Sequence, residues 1–261
     1  MNKKETDAVV EDLRLDEISF FSSRFTFLNS HKSFRPKCFH TFLGRTGSGK
    51  STLIRTILLD LLKEQRVLVW LSEEDKQSFM KGMYAACGDA ELLNNAIVFS
   101  ELDEKNTSDG ILEKVSSIVN YENPAIILLD NLTTSIASTG RFEQQEKNIR
   151  DLHAMAKAKD IPIIIVAHTR SEVNTNRLMA EEDIRGSKTV PNLSEYFYIM
   201  QMIEDETSKM QTIRVTKSRY HDKAPGKIYR LIYNSDKRNY DKDNELSFAF
   251  FKEIFNRRNK L

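Results

Sequence analysis

The sequence predicts an α/β domain in which a mostly parallel central sheet is flanked by helices and continued by antiparallel strands along its C-terminal edge. Three observations carry this expectation. Between residues 39 and 168, short apolar runs rich in Val, Ile and Leu alternate with longer runs of helical period. Three of the nine glycines, Gly44, Gly47 and Gly49, fall within six residues, at the junction of one such apolar run with one such helix. Past Pro191 the helical pattern gives way to strand-like runs that follow one another closely. With 261 residues, 40% hydrophobic and 30% charged, the chain has ample length for one buried core and is not a disordered, collagen-like or disulfide-scaffold sequence.

Residues 1–22 are polar, with scattered Val9, Val10, Leu13, Leu15 and Ile18. They read as an N-terminal arm with a short helix, either loosely docked or packed on a neighbouring subunit. The domain proper is expected over 23–261. Phe39–Leu43 is its first strand, and the repeat of Leu53, Ile54, Ile57, Leu58, Leu61 and Leu62 is a helix. Strands follow at 67–71 (VLVWL) and 97–99 (IVF). A helix over about 108–121 leads to a strand at 125–130 (AIILLD), and another over about 142–160 leads to one at 161–168 (IPIIIVAH). These runs are apolar on both faces, as buried parallel strands are. The runs at 195–203, 212–219 and 227–234 read as hairpins continuing the sheet.

Charge and cysteine content exclude several classes of function. Lys plus Arg number 39 against 38 Asp plus Glu, so no global basic field points to nucleic acid or membrane, and any basic site is local. Cys38 and Cys87 are too few for a disulfide framework, which suits a reducing cytosol. The opening MNKKETDAVVEDLRLDE is too charged for a signal peptide and too acidic for a transit peptide, and no apolar run approaches membrane-spanning length. A soluble, cytoplasmic protein with no membrane contact is expected.

The chemistry lies where the glycines are. Gly44, Arg45, Thr46, Gly47, Ser48, Gly49, Lys50, Ser51 and Thr52 satisfy G-x-x-x-x-G-K-[ST], with a strand before and a helix after. In that context successive loop N–H groups form an anion nest and the helix N-terminus adds the positive end of its dipole. Lys50 can neutralise β- and γ-phosphates, and Ser51 can ligate magnesium. The site therefore predicts a nucleoside triphosphate with Mg2+. Asp130 closes its strand where a second magnesium-supporting carboxylate of such sites belongs. Glu73 follows the next strand and is the candidate general base, with Glu74 as competitor. His168 ends a neighbouring strand, where it would sense the γ-phosphate. Lys217 and Arg219 stand two apart on a late strand, so both cations can reach one anionic target.

In this order the motifs resemble the hexameric replicative DNA helicases of the DnaB family, especially the helicase half of the phage gene-four helicase-primases and of mitochondrial Twinkle. The resemblance spans about residues 36–235. It rests on GRTGSGKST, VWLSEED, IILLDNL with RFEQQEKNIRDLHAMAKAKDIP, IIIVAHTR, and DIRGSKTVPNLSEYFYIM running into TIRVTKSRYHDKAPG. It implies a RecA-like core, ATP as fuel, a hexameric ring and translocation on single-stranded DNA during replication. Lys50, Glu73, His168, Lys217 and Arg219 are then catalytic, with Arg219 the arginine finger lent to the adjacent protomer. Two loops would grip DNA: 134–148 with Arg141 and Lys147, and 169–188 with Arg170, Asn174, Asn176, Arg177 and Lys188. The family also implies a primase, loader or polymerase as partner. This sequence departs from it in carrying neither a primase nor a helical N-terminal domain ahead of the core, which leaves residues 1–22 as the candidate linker. Its ending, FKEIFNRRNKL, is basic and aromatic where some relatives end in an acidic tail. Two rival readings share the core: a RecA/RadA-type recombination ATPase, and a nucleotide-gated regulator or loader that unwinds nothing.

Overall fold

The computed structural model describes residues 21–103, 111–132, 142–170, 177–204, 209–221 and 225–251. Apart from its last two residues the N-terminal arm lies outside them, as do Arg141, Asn174 and Asn176. One nine-stranded sheet organises the rest, in the order β3-β2-β4-β5-β1-β6-β7-β8-β9. The first six strands in that order run parallel: β1 (Phe39–Gly44), β2 (Val67–Leu71), β3 (Ala96–Ser100), β4 (Ile126–Asp130), β5 (Ile163–His168) and β6 (Tyr196–Glu204). Then β7 (Lys209–Ser218), β8 (Ile228–Asn234) and β9 (Asn239–Leu246) continue it antiparallel. This is the fold class expected from the sequence.

The helices divide between the two faces as the side chains dictate. In β2, Val67, Val69 and Leu71 turn to one face and Leu68 and Trp70 to the other, and all five are buried. The first face is covered by α1 (Thr26–Asn29), α2 (Lys50–Leu61) and α3 (Lys76–Cys87), through Phe27, Leu28, Leu53, Ile54, Ile57, Leu58, Phe79 and Met83. Opposite lie α5 (Ile111–Glu122), α6 (Phe142–Lys159) and α7 (Thr189–Leu193), through Val115, Val119, Ile149, Leu152, Ala156 and Val190. A one-turn helix, α4 (Ala90–Leu93), leads into β3. With both faces covered, the central strands cannot alternate polar and apolar residues, which is why they read as continuous apolar runs.

Three features differ from the sequence reading. Residues 76–93, over which that reading placed nothing, form α3 and α4; Asp75 caps α3 by accepting the Ser78 N–H at 2.8 Å. The 195–203 run pairs first with β1, in parallel, because α7 supplies a crossover before it, and only then turns into a hairpin. The ninth strand, NYDKDNEL, carries four charges and escapes apolar patterning. Its position at the edge accounts for the charges, which discourage pairing with another sheet. It is nonetheless anchored: Asp243 accepts the Phe27 N–H at 2.9 Å and Tyr240 packs against the start of α2.

Asp60, buried on α2, ties the described N-terminal residues to the core. It accepts the Ser23 hydroxyl at 3.0 Å, the Arg24 N–H at 2.8 Å and the Arg24 guanidinium at 2.8 Å. Burial alone would raise its pKa, but the Arg24 hydrogen bonds and charge outweigh that and hold it below the usual carboxylate value. A depressed folded-state pKa contributes stability above the unfolded value, and that contribution is lost as pH falls through the folded value. Asp60→Asn is therefore expected to cost roughly 1.5–3 kcal/mol at neutral pH, the range for hydrogen bonds to a charged group. In urea unfolding the gap to the parent protein should close under acid conditions.

Candidate nucleotide site

Four neighbouring strands end at the carboxyl edge of the sheet. Leu71 of β2 pairs with Asp130 of β4, β4 pairs with β5, and His168 of β5 pairs with Gly44 of β1. The segments leaving these strands therefore lie side by side: Glu73 after β2, Asp130 ending β4, His168 ending β5, and the glycine-rich loop after β1. Ligands of open α/β sheets bind at this edge.

Glycine is required in the loop for two separate reasons. At Gly44 a Cβ would stand 2.8 Å from the Met200 carbonyl oxygen and 2.9 Å from Ser48 Oγ, so a side chain has no room. Gly49, the residue before α2, has φ +82°, a left-handed conformation that side chains resist. The loop thus leads directly into the α2 N-terminus, whose first N–H groups have no intrahelical partner and can cradle an anion. Arg45, Thr46 and Gly47 form its exposed crest, Ser48 is buried, and Ser51 is exposed at the first turn, with Thr52 behind it. The Ser48 hydroxyl has no hydrogen-bond partner among the described residues.

Lys50 is buried, and its ammonium donates to the Arg45 carbonyl at 2.7 Å, curled over the loop. Burial lowers its pKa to about 8, against the pull of Asp130 and Glu73. Asp130 moves oppositely: burial first, then the Glu73 charge, push it up to about 6, with Lys50 and Arg55 opposing. Each group is held away from its ordinary value by a site that has desolvated it, and each would gain from a ligand of opposite charge. A phosphate would be held by Lys50, and a divalent cation would be held by the Ser51 hydroxyl with support from the Asp130 carboxylate, since magnesium takes hard oxygen ligands and few protein ones.

Glu73, the candidate base, and its competitor Glu74 differ in structure. The Glu73 carboxylate accepts the Asn131 amide at 3.1 Å and lies 3.4 Å from His168 Nε2. Glu74 is turned away to Arg55 on α2, 2.5 Å from its guanidinium, which also stacks over the Phe79 ring. Of the two, only Glu73 faces the cradle. His168 links them, with Nδ1 3.4 Å from Thr46 Oγ1. Burial lowers the His168 pKa, the Lys50 charge adds to that, and Glu73 opposes it, so the ring is neutral at neutral pH. Asn131 is itself fixed by Ser72, whose hydroxyl meets both its N–H and its carbonyl at 2.9 and 2.8 Å. Asn131, Ser72 and Arg55 were not singled out in the sequence; the one available signal was that Asn131 directly follows Asp130.

Lys217 and Arg219 converge, two apart on one face as alternation requires, but a bulge sets which face that is. Phe197 pairs with Lys217 but Tyr198 with Val215, so Thr216 is an extra residue in β7. The bulge moves Lys217 off the face of Ile213 and Val215 and onto that of Phe197 and α7. There Lys217 Nζ donates to Pro191 O at 2.7 Å and Asn192 O at 3.3 Å, and Arg219 Nη2 donates to the same Asn192 O at 3.0 Å. Both cations lie far from the loop of their own chain. The Arg219 N–H bonds the Glu195 carbonyl, and the Glu195 N–H bonds Phe39 O, so Arg219 is level with the first residue of β1 while the loop leaves its last. Five steps along and two strands across make about 19 Å between Cα atoms, beyond the reach of a side chain.

The residues expected to grip DNA are dispersed. Arg170 donates to the carbonyls of Ile184 and Glu182 at 3.2 and 2.8 Å, and Arg177 pairs with Asp183. Both are thus engaged within their own loop. Lys188 is exposed just before α7, and Lys147 is on the exposed face of α6 rather than in a loop, because the helix begins at Phe142. What the structure adds is a connection: Thr169 forms a bridge with Ile184, and the Arg185 N–H donates to the His168 carbonyl at 2.8 Å.

No helix among the described residues is long and apolar enough to cross a membrane. No family model matches the sequence, and no curated protein does. Among solved structures, the chain is similar to a KaiC-like protein from the hyperthermophilic archaeon Pyrococcus horikoshii, with TM-score 0.68, 11% identity, and 85% of this chain and 97% of that one covered. Matches extend to 595 solved chains, so a fold shared this widely does not choose a function. What the likeness establishes is the architecture: the chain has a RecA-like α/β core.

Proposed function

We propose that the chain is an ATPase subunit that works between copies of itself in a ring, translocating along single-stranded DNA and unwinding duplex as a replicative helicase. The observation that carries this reading is the separation of Lys217 and Arg219 from their own phosphate loop. Two converging cations, half-exposed at the far end of the sheet, suit a site completed by a second copy. Because donor and acceptor surfaces differ, that contact is head-to-tail, and head-to-tail contacts close into rings when the rotation permits.

Within the site, Glu73 accepts a proton from the attacking water, held in place by Asn131 and His168. Lys50 and the loop N–H groups bind the β- and γ-phosphates. Magnesium between Ser51 and Asp130 would supply the positive charge that offsets the phosphates. Arg219 and Lys217 of one copy stabilise charge on the γ-phosphate bound by the next. His168 touches both Thr46 and Glu73, and its carbonyl holds Arg185, so a shift of the ring on phosphate release would pull on the 177–188 segment.

A nucleotide-gated regulator or loader is the second reading, favoured by the ties of Arg170 and Arg177 to their own loop, which leave fewer cations for a strand. A recombination ATPase is the third. Electron microscopy with ATP together with a forked-substrate unwinding assay separates the three. The expected result is a closed ring, ATP-dependent unwinding and single-strand affinity that falls steeply with salt. A filament with strand exchange, or an assembly with neither activity, overturns the helicase reading.

A further inference from the structure

Glu195 stands just before β6 with its side chain 3% exposed. One carboxylate oxygen accepts the Phe39 N–H at 2.8 Å. The other is 3.1 Å from His153 Nε2, on α6, and 3.9 Å from Arg219 Nη1. Burial would raise its pKa, but the hydrogen bonds from His153 and Phe39 and the charge of Arg219 hold it below the ordinary glutamate value, so the buried group is ionised.

An ionised carboxylate is a costly way to satisfy one backbone N–H and one imidazole nitrogen, because taking the charge out of water is expensive and a neutral amide could bond both. The charge has a use on its outer side. Arg219 is held at three points: its N–H on the Glu195 carbonyl at 3.0 Å, Nη2 on Asn192 O at 3.0 Å, and Nη1 beside the Glu195 carboxylate. The hydrogen bond and the ion pair favour one orientation of the guanidinium while 48% of the side chain remains exposed.

We infer that Glu195 is a positioning residue for Arg219, presenting its guanidinium ready-oriented to a phosphate bound by a neighbouring copy. The inference rests on the reading in which Arg219 acts on that phosphate. A pre-oriented cation stabilises transition-state charge without first losing side-chain freedom. An untethered arginine loses that freedom at each turnover, which for a long side chain corresponds to a rate loss on the order of tenfold.

The test is a double-mutant cycle of Glu195→Gln and Arg219→Ala, reading kcat and KM for ATP hydrolysis on single-stranded DNA. Gln keeps an acceptor for the Phe39 N–H and replaces the charged oxygen beside His153 and Arg219 with an uncharged NH2. Glu195→Gln should lower kcat about tenfold with KM unchanged, and should change nothing further in the Arg219→Ala background. An equal loss in both backgrounds, or a raised kcat in the single variant, overturns the positioning role. Wild-type kcat in Arg219→Ala alone overturns the parent reading instead. Glu195→Asp, which keeps the charge, should retain more kcat than Gln does, and it replaces Gln in the cycle should that variant not fold.

Discussion

Glu73→Gln is expected to lower the rate of ATP hydrolysis by about 10²–10⁴-fold, the span attributed to a positioned general base, while nucleotide affinity stays close to that of the parent. The substitution is nearly isosteric. Gln can still accept the Asn131 amide that Glu73 accepts at 3.1 Å, so what is removed is basicity and charge rather than shape. Affinity should be spared because Lys50 and the loop, the groups proposed to hold the phosphates, lie on the other side of His168. Glu74→Gln is the internal control: its carboxylate is occupied by Arg55, at some distance in function from the cradle. Loss of a half-exposed pair of this kind is expected to change the rate by no more than about fivefold. Pre-steady-state hydrolysis and binding of a fluorescent nucleotide measure the two quantities separately. Similar losses in both variants would remove Glu73 from the role of base.

Contiguity and periodicity decide what was legible in the sequence. Gly44–Thr52 is one unbroken segment whose function depends on its own backbone, so the motif and its strand and helix could be read directly. Asp130 and His168 were legible because each ends an apolar run, and parallel strands of similar length bring their ends to one edge. What escaped notice depends on which residues meet across the fold. Strand register favours Glu73 over Glu74, but the partner that draws Glu74 aside emerges only when α2 places Arg55 beside it, and Gly82 on α3 leaves room for that guanidinium, 3.1 Å from where a Cβ would sit. The β7 bulge at Thr216 has no glycine or proline to announce it, so the face on which Lys217 lies could not be derived from alternation alone. Glu195 and His153 are 42 residues apart and meet only after α6 has folded over β1. The charged β9 edge strand shows the same limit, since its apolar contribution is concentrated in Tyr240 and its partners lie on α1 and α2.

Arg219→Ala is expected to reduce DNA-stimulated hydrolysis by on the order of 10³-fold, the lower end of what an arginine finger supplies, and to leave nucleotide binding intact. Binding survives because about 19 Å separates Arg219 from the loop of its own chain by sheet geometry. Lys50→Ala should be inactive for the opposite reason, having lost the cation inside the cradle. The two inactive proteins contain complementary halves of a site. In a head-to-tail ring assembled from equal parts of each, a quarter of the interfaces, about one in four by random mixing, pair an intact Lys50 with an intact Arg219. Hydrolysis should therefore reappear on mixing, and it should depend on subunit exchange and on total protein concentration. A cis arrangement predicts none, because every chain in the mixture carries one defect. Partial recovery also bears on the link between His168, Arg185 and α7: Arg219 hangs from Asn192 O at 3.0 Å, and α7 begins four residues after the Arg185 that bonds the His168 carbonyl. If that connection transmits nucleotide state around the ring, the mixed rings should regain hydrolysis more readily than unwinding, since isolated competent sites can turn over while a strand needs successive ones to be passed along.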